Sequence, residues 1–132
     1  MLIIAAPAAA FWTALLLILM MTLSVLTVRQ RQAHKVPIGH GDMPSVEAAV
    51  RAFGNASEYI PAGIGALAVL AIAGASPLIV HVIGGLLFVG RVAHAVGMSR
   101  TTGLSAGRVA GMTFTWLAYV FAAVALLLYA VA

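Results

Sequence analysis

The chain begins with an uncharged, strongly apolar run at residues 2–28, LIIAAPAAAFWTALLLILMMTLSVLTV. This run is longer than the roughly 20 residues that an α-helix needs to cross the hydrocarbon core of a bilayer. It also exceeds the apolar region of a signal peptide and follows no basic segment, so we expect a retained first helix. A helix is the expected form because it satisfies its backbone polar groups internally, as lipid surroundings require.

Three further apolar segments follow the first. The sequence predicts transmembrane helices at about 2–28, 45–74, 77–97 and 108–131, within one domain that extends over residues 1–132. Hydrophobic residues make up 64% of the chain and charged residues only 8%, whereas a soluble domain carries roughly a quarter charged residues. The predicted fold class is therefore an all-α membrane protein, a bundle of four transmembrane helices.

The connections between these helices carry the expected helix breakers. Residues 35–44 contain two prolines and two glycines and predict a polar loop. Pro44 and Ser45 then predict a turn and an N-cap, and Glu47 suits the positive end of the dipole of helix two. Residues 74–77, Gly-Ala-Ser-Pro, predict a tight hairpin between helices two and three.

The basic residues indicate the orientation of the bundle. Arg29, Arg31 and Lys35 fall in the first connection and Arg100 and Arg108 border the third, whereas the second connection is uncharged. The positive-inside rule then places both termini on the outer side of the membrane. Basic residues distributed in this way form no patch for nucleic acid, so we expect no nucleic-acid partner. Cysteine is absent, so any thiol chemistry requires a thiol that a ligand brings.

Helix two carries polar residues that do not belong in lipid. Arg51, Asn55 and Glu58 are four and three residues apart, which places them on one face, with Glu47 one turn earlier. One interpretation is structural, because an arginine near the interface can extend towards water and pair with acids along its own helix. Glu58 lies about four turns into the helix, so we expect it to face a polar cavity or a partner helix.

Helix three carries Arg91 and His94 one turn apart, with Met98 next on that face. Two roles remain open for Arg91: it neutralises Glu58 or Glu47 between helices, or it contacts a ligand directly. A metal site at His94 is not expected, because no second histidine or carboxylate stands at ligand spacing.

Helix four begins near Arg108, and Met112, Thr115 and Tyr119 follow on the same face. Arg108 either anchors the helix to lipid headgroups or joins the polar residues of helices two and three. Arginines from several helices beside a carboxylate and an amide suit a small anionic or zwitterionic ligand, because guanidinium groups bind carboxylates bidentately. Glutathione fits this chemistry, although composition alone does not single it out.

Two segments resemble a known family. The segment RAFGNASEYIP, residues 51–61, resembles the signature of the MAPEG family, the membrane-associated proteins in eicosanoid and glutathione metabolism. The stretch VGRVAH, residues 89–94, is similar to the prostaglandin E synthase branch, and residues 55–61 look closer to leukotriene C synthases. The four-helix layout and the length match too, so the resemblance covers nearly the whole chain.

The resemblance implies a homotrimer that holds glutathione between neighbouring subunits. It implies a glutathione-binding set of Arg29 (from the adjacent subunit), Arg51, Asn55, Glu58, Tyr59, Arg91 and His94. Arg108 matches the catalytic arginine that stabilises the glutathione thiolate, since a nearby cation favours the ionised form of a thiol. The resemblance implies no metal.

The sequence departs from the family pattern at a few positions. Met98 stands where relatives often have a tyrosine, and His94 replaces a tyrosine of some branches. Gly54 replaces a further basic residue of the prostaglandin branch, and the loop before Arg108 is one residue longer.

The leading hypothesis for function is a glutathione-dependent membrane transferase or peroxidase that acts on lipophilic electrophiles from the bilayer. Its expected partners are further copies of itself, lipids and the lipophilic substrate, and its expected location is a bacterial inner membrane. One alternative is a non-catalytic lipid-binding or scaffold protein of the same family. Another is a small transporter in which Glu58 couples to protons; the crowding of arginines near one face argues against it.

Overall fold

The computed structural model of the chain describes residues 4–101 and 103–131. This part of the chain forms four helices, α1 (Ala6–His34), α2 (Pro44–Ile72), α3 (Pro77–Arg100) and α4 (Ala106–Val131). Each helix is long and apolar enough to cross a membrane. Helices of 24 to 29 residues are about 36–44 Å long, which exceeds the ~30 Å hydrocarbon core. The predicted all-α, four-span class is confirmed.

Among the described residues, α2 and α3 each contact all three other helices, whereas α1 and α4 do not contact each other, and the most extensive packing is that of α3 against α4. Two glycines allow this close packing, because a Cβ atom on Gly90 would lie 2.9 Å from the carbonyl oxygen of Gly111. The core between the helices is apolar, and its fully buried members include Leu16, Ile60, Leu67, Leu70 and Leu87. Lipid-facing positions on the outside of the bundle are apolar too, as expected of a membrane protein.

Helix α1 ends at His34, later than the predicted end at Val28. Arg29 and Arg31 therefore lie on the last turns of a helix and not in a flexible connection. The helix stops at Lys35, which adopts a left-handed conformation (φ +56°). Arginine and glutamine are good helix formers, so nothing ends the helix until the breakers after Lys35. Residues 2 and 3 of the predicted first helix lie outside the described residues.

Helix α2 begins at Pro44, with Met43 at the N-cap position. The prediction that Ser45 caps this helix is wrong, because Ser45 lies within the first turn and its Oγ is 3.0 Å from Nε2 of His34. This contact ties the end of α1 to the start of α2. Glu47 lies in the first turn, as predicted.

The predicted hairpin between α2 and α3 is present. It lies at the end of the bundle that the positive-inside rule predicts to be the outer one, and the two ends are named outer and inner on that prediction. Gly74 adopts a left-handed conformation (φ +86°), and the Ser76 side chain caps α3 by accepting a hydrogen bond from the N–H of Ile79 (3.4 Å). One turn into α3, Nδ1 of His81 accepts a hydrogen bond from the indole N–H of Trp12 (3.1 Å).

Helices α3 and α4 also depart from the predicted bounds, since α3 continues to Arg100 and α4 begins two residues before Arg108.

Candidate functional site

Helices α2, α3 and α4 enclose a cleft of about 400 Å³ on the side of the bundle where α2 begins. Five predicted site residues line it together. The lining residues are Val50, Arg51, Gly54, Asn55, Glu58, His94, Met98 and Arg108. A smaller cavity of about 50 Å³ shares Arg51, Met98 and Arg108 with the cleft and extends from it to Thr101. The predicted convergence of polar residues from three helices is therefore present.

Glu58 is the middle residue of α2 and lies about 21 Å along the axis from Pro44. Its side chain is exposed, and it forms no ion pair or hydrogen bond within the part of the chain that the structure describes. A charge at such a depth costs at least about 2.5 kcal/mol on insertion scales. The carboxylate therefore requires a polar partner, and the cleft it lines is open to one.

Arg51 lies one turn from Glu47, and its Nε is 3.5 Å from Oε1 of that carboxylate. Both side chains are exposed, so this ion pair contributes about 1 kcal/mol or less. Arg51 therefore pairs with an acid of its own helix, as the structural interpretation predicts. Because the pair is weak, Arg51 can still turn towards an anion in the cleft.

Arg91 is almost completely buried, with 2% of its surface exposed. Its Nη1 donates a hydrogen bond to Oδ1 of Asn55 (2.9 Å), its Nη2 donates to the sulfur of Met112 (3.5 Å), and its guanidinium lies 5.0 Å from the centre of the Tyr59 ring. It forms no ion pair with Glu58 or Glu47, so the first of the two roles left open for it, neutralising one of these carboxylates, is not realised. Arg91 lies behind Asn55 and is not a lining residue of the cleft.

Tyr59 also lies behind the cleft. Its ring faces the Arg91 guanidinium, and its backbone carbonyl accepts a hydrogen bond from the hydroxyl of Tyr119. The two tyrosine rings are 6.1 Å apart. Tyr59 and Tyr119 therefore form a wall that supports Arg91.

Arg108 lies in the first turn of α4 and lines the cleft opposite α2. Its backbone N–H donates to Oγ of Ser105 (3.3 Å), and its Nη1 donates to the carbonyl oxygen of Gly103 (2.7 Å). The close approach of α3 and α4 sets its position, because a Cβ atom on Gly97 would lie 2.7 Å from the Arg108 nitrogen.

Arg29 is the one predicted site residue that the chain does not bring near the others. It is exposed on α1 and lines neither the cleft nor the smaller cavity. The described residues also contain no group of three or more histidine, cysteine, aspartate or glutamate side chains that could hold a metal ion.

Sequence reasoning missed two features of this site. Met112 was placed on the face of Arg108, but its contact with Arg91 was not predicted. The close packing of α3 on α4 was also missed, although glycines at positions 90, 97, 107 and 111 provide a signal. Gly90 and Gly97 are seven positions apart, and Gly107 and Gly111 are four positions apart. Each spacing places the two glycines on one face of a helix, where small residues permit close helix packing in membranes.

Four apolar spans, three of which line a polar cleft, define a multi-pass membrane protein. Residues 9–128 match the MAPEG family, and the chain belongs to that family. It is similar to Inner membrane protein YecN of Escherichia coli, from strain K12 and from strain CFT073 of serotype O6:H1. Each of these two relatives is 34% identical over 120 residues, which cover 91% of this chain and 90% of the relative. The protein is accordingly a multi-pass inner membrane protein.

Proposed function

We propose that this protein is a glutathione-dependent transferase or peroxidase of the inner membrane, which acts on lipophilic electrophiles. The observation that carries the proposal is the cleft, where Arg51 and Arg108 converge with the unpaired carboxylate of Glu58 and the amide of Asn55. Its volume of about 400 Å³ lies within the range of about 300–1,000 Å³ that is typical of small-molecule sites. Membership of the MAPEG family supports the same ligand.

The charges of the cleft match those of glutathione, which carries two carboxylates, one ammonium group and a thiol. Arg51 offers a guanidinium for a carboxylate, and Glu58 offers a counter-charge for the ammonium group. Binding the ammonium would give Glu58 the polar partner that its depth requires. Neither a neutral lipid nor a simple anion uses both signs of charge.

Arg108 is the proposed catalytic residue. A cation held near the thiol stabilises the thiolate, which is the nucleophilic form. The thiolate then attacks an electrophilic carbon of the lipophilic substrate, forming the carbon–sulfur bond as the leaving group departs with its electron pair. With a hydroperoxide, the thiolate attacks one oxygen, the oxygen–oxygen bond breaks, and the other oxygen leaves as an alcohol after protonation. The glutathione sulfenic acid that forms then reacts with a second glutathione to give the disulfide and water.

We also propose that the cleft is completed by a second copy of the chain, within a homotrimer. Arg51 and Glu58 are exposed on a single chain although they lie on a transmembrane helix, and lipid is an unfavourable neighbour for both. Arg29 is exposed as well and stays apart from the cleft of its own chain. Native mass spectrometry in detergent should show three copies, and Arg29→Ala should weaken glutathione binding despite its distance from that cleft.

The proposal is tested by titrating the purified protein in detergent with glutathione and following the ultraviolet absorbance band of the thiolate. The wild type should bind glutathione and develop the band, and Arg108→Ala should bind without developing it. Arg100→Ala is the matched control, because Arg100 is an exposed arginine at the end of α3 that lines no part of the cleft. Absence of glutathione binding to the wild type would refute the proposal.

Binding without a thiolate in the wild type would favour a non-catalytic family member over an enzyme. A transporter is distinguished in proteoliposomes, where it should show a proton-coupled flux that Glu58→Gln abolishes.

A further inference from the structure

The buried pair of Arg91 and Asn55 determines which atoms the cleft presents to its ligand. We infer that Arg91 is a positioning residue, which fixes the Asn55 side chain so that only its NH₂ group faces the cleft, and that the ligand group bound there is a carboxylate. This inference rests on the proposed function, because it names the part of glutathione that Asn55 contacts.

The orientation of Asn55 follows from the chemistry of its partner. A guanidinium group has only hydrogen-bond donors, so the Asn55 atom 2.9 Å from Nη1 of Arg91 must be the amide oxygen. The NH₂ group therefore points away from Arg91. Asn55 lines the cleft, and its NH₂ group makes no hydrogen bond within the described part of the chain. The two donors of the NH₂ group are consequently offered to a ligand, while the amide oxygen is directed at Arg91.

Arg91 is held firmly enough to maintain this orientation. Its guanidinium is buried between the Tyr59 ring at 5.0 Å and the Met112 sulfur at 3.5 Å. The Tyr119 hydroxyl fixes the backbone of Tyr59 from behind. Asn55 separates Arg91 from the cleft, so the arginine acts on the ligand through the amide.

The charge of Arg91 selects a carboxylate over a neutral acceptor. Within the described residues, no carboxylate pairs with this guanidinium, and its Nε is a buried nitrogen without a hydrogen-bond partner. A buried cation without a counter-charge is unfavourable. An anion bound to the NH₂ group of Asn55 would lie near the Arg91 guanidinium, with only the Asn55 side chain between them, and would offset its charge. An ammonium group in the same place would face the hydrogen-bond donors of Asn55 and would be repelled by Arg91.

The first experiment tests the positioning and needs no ligand. Thermal unfolding in detergent is measured for Asn55→Ala, Arg91→Met, Arg91→Lys and the Asn55→Ala/Arg91→Met double variant. Because the two side chains interact, the double variant should lose less stability than the sum of the losses of the two single variants. Arg91→Lys, which keeps a donor, should retain more stability than Arg91→Met and remain measurable if Arg91→Met does not fold. Additive losses and equal behaviour of the lysine and methionine variants would overturn the positioning.

The second experiment identifies the ligand group with Asn55→Asp, which can still accept a hydrogen bond from Arg91 but replaces the two donors with a charged acceptor. Its glutathione Kd should rise at least about tenfold, the effect of losing one hydrogen bond to a charged group. Gln32→Glu makes the same amide-to-carboxylate change on an exposed part of α1 and should leave Kd unchanged. Binding as tight as in the wild type, or tighter, would overturn the inference.

Glutathione monoesters sharpen this experiment. Esterifying the carboxylate that Asn55 contacts should weaken binding to the wild type, and Asn55→Ala should bind that ester and free glutathione with nearly equal affinity. If neither monoester shows this loss of discrimination, Asn55 does not contact a carboxylate. Absence of glutathione binding to the wild type instead refutes the proposed function and the named ligand group with it, while the unfolding measurements still decide the role of Arg91.

Discussion

The two ends of the bundle use polar side chains in opposite ways. At the outer end, the indole N–H of Trp12 is satisfied by His81, and the aromatic rings of Phe11 and Phe88 pack around the pair. At the inner end, Glu58 has no partner in the described part of the chain and the Asn55 amide turns its donors towards an open cleft. The outer pair is satisfied within the protein, whereas the inner end leaves these two side chains available to a ligand.

This difference separates structural from functional polar groups in a membrane protein. All ten charged residues lie between positions 29 and 108, on the last turns of α1, in the connection that follows it, or on the segments of α2, α3 and α4 near the cleft. Since an unsatisfied polar group in lipid is unfavourable, groups that remain unpaired in a single chain indicate where a ligand or another copy binds. The outer pair should therefore affect stability alone, and the inner residues should affect binding.

The largest expected effect comes from separating α3 from α4. A Cβ atom on Gly111 would lie 2.5 Å from the backbone nitrogen of His94, so Gly111→Val should destabilise the protein by about 3 kcal/mol, the upper end of typical overpacking. Because His94 on α3 and Arg108 on α4 both line the cleft, glutathione binding should fall as well. Denaturation in detergent and glutathione titration measure both effects.

Gly65→Ala is the matched control, because a Cβ atom at Gly65 meets nothing within 4 Å. Replacing this helical glycine should be neutral or should stabilise the protein by up to about 1 kcal/mol. Equal losses in the two variants would show that the α3–α4 contact is not as close as described.

Glu58→Gln should move binding and stability in opposite directions. Removing the counter-charge of the ligand ammonium should weaken glutathione binding by about 1.5–3 kcal/mol. The ligand-free protein should be as stable as the wild type or more stable, because an unpaired carboxylate at membrane depth is removed. Calorimetric titration and thermal unfolding of the same sample test this. A loss of stability equal to the loss of binding would instead indicate a structural role for Glu58.

At the outer end, Trp12→Phe should have a purely structural effect. It removes the donor to His81 and should cost about 0.5–1.5 kcal/mol, the usual contribution of one hydrogen bond. The ring packing is largely retained, and glutathione affinity should not change, because Trp12 lies outside the cleft. A change in affinity would contradict the division between the two ends.

The sequence predicts the spans well and the contacts between them less well. Hydropathy locates the four helices, and the spacing of Arg51, Asn55 and Glu58 is enough to place them on one face, because both signals lie within one segment. The sequence leaves the partner of Arg91 open, because a contact between helices depends on their relative rotation and depth. That geometry is set by glycine contacts such as Gly90 with Gly111, which hydropathy does not report.

The last positions of α1 show a different reason for error. Arg29 and Arg31 were assigned to a connection because their charge marks the inner boundary of the membrane, but the helix continues beyond that boundary to His34. Basic residues indicate where the bilayer is expected to end, whereas helix-breaking residues determine where the helix ends. For this chain the two differ by about two turns of helix.

The smallest effect should come from the ion pair of Arg51 with Glu47, which is exposed and has an N–O distance of 3.5 Å. Glu47→Gln should change stability by about 0.2–1 kcal/mol. It should also strengthen glutathione binding slightly, because Arg51 no longer divides its charge between Glu47 and a ligand carboxylate. The affinities of Glu47→Gln and Glu58→Gln, measured side by side, should thus shift in opposite directions although both variants remove one negative charge from the same face of α2. Shifts in the same direction would mean that the cleft responds only to net charge, and the distinction between a residue that pairs within the chain and one that pairs with the ligand would then fail.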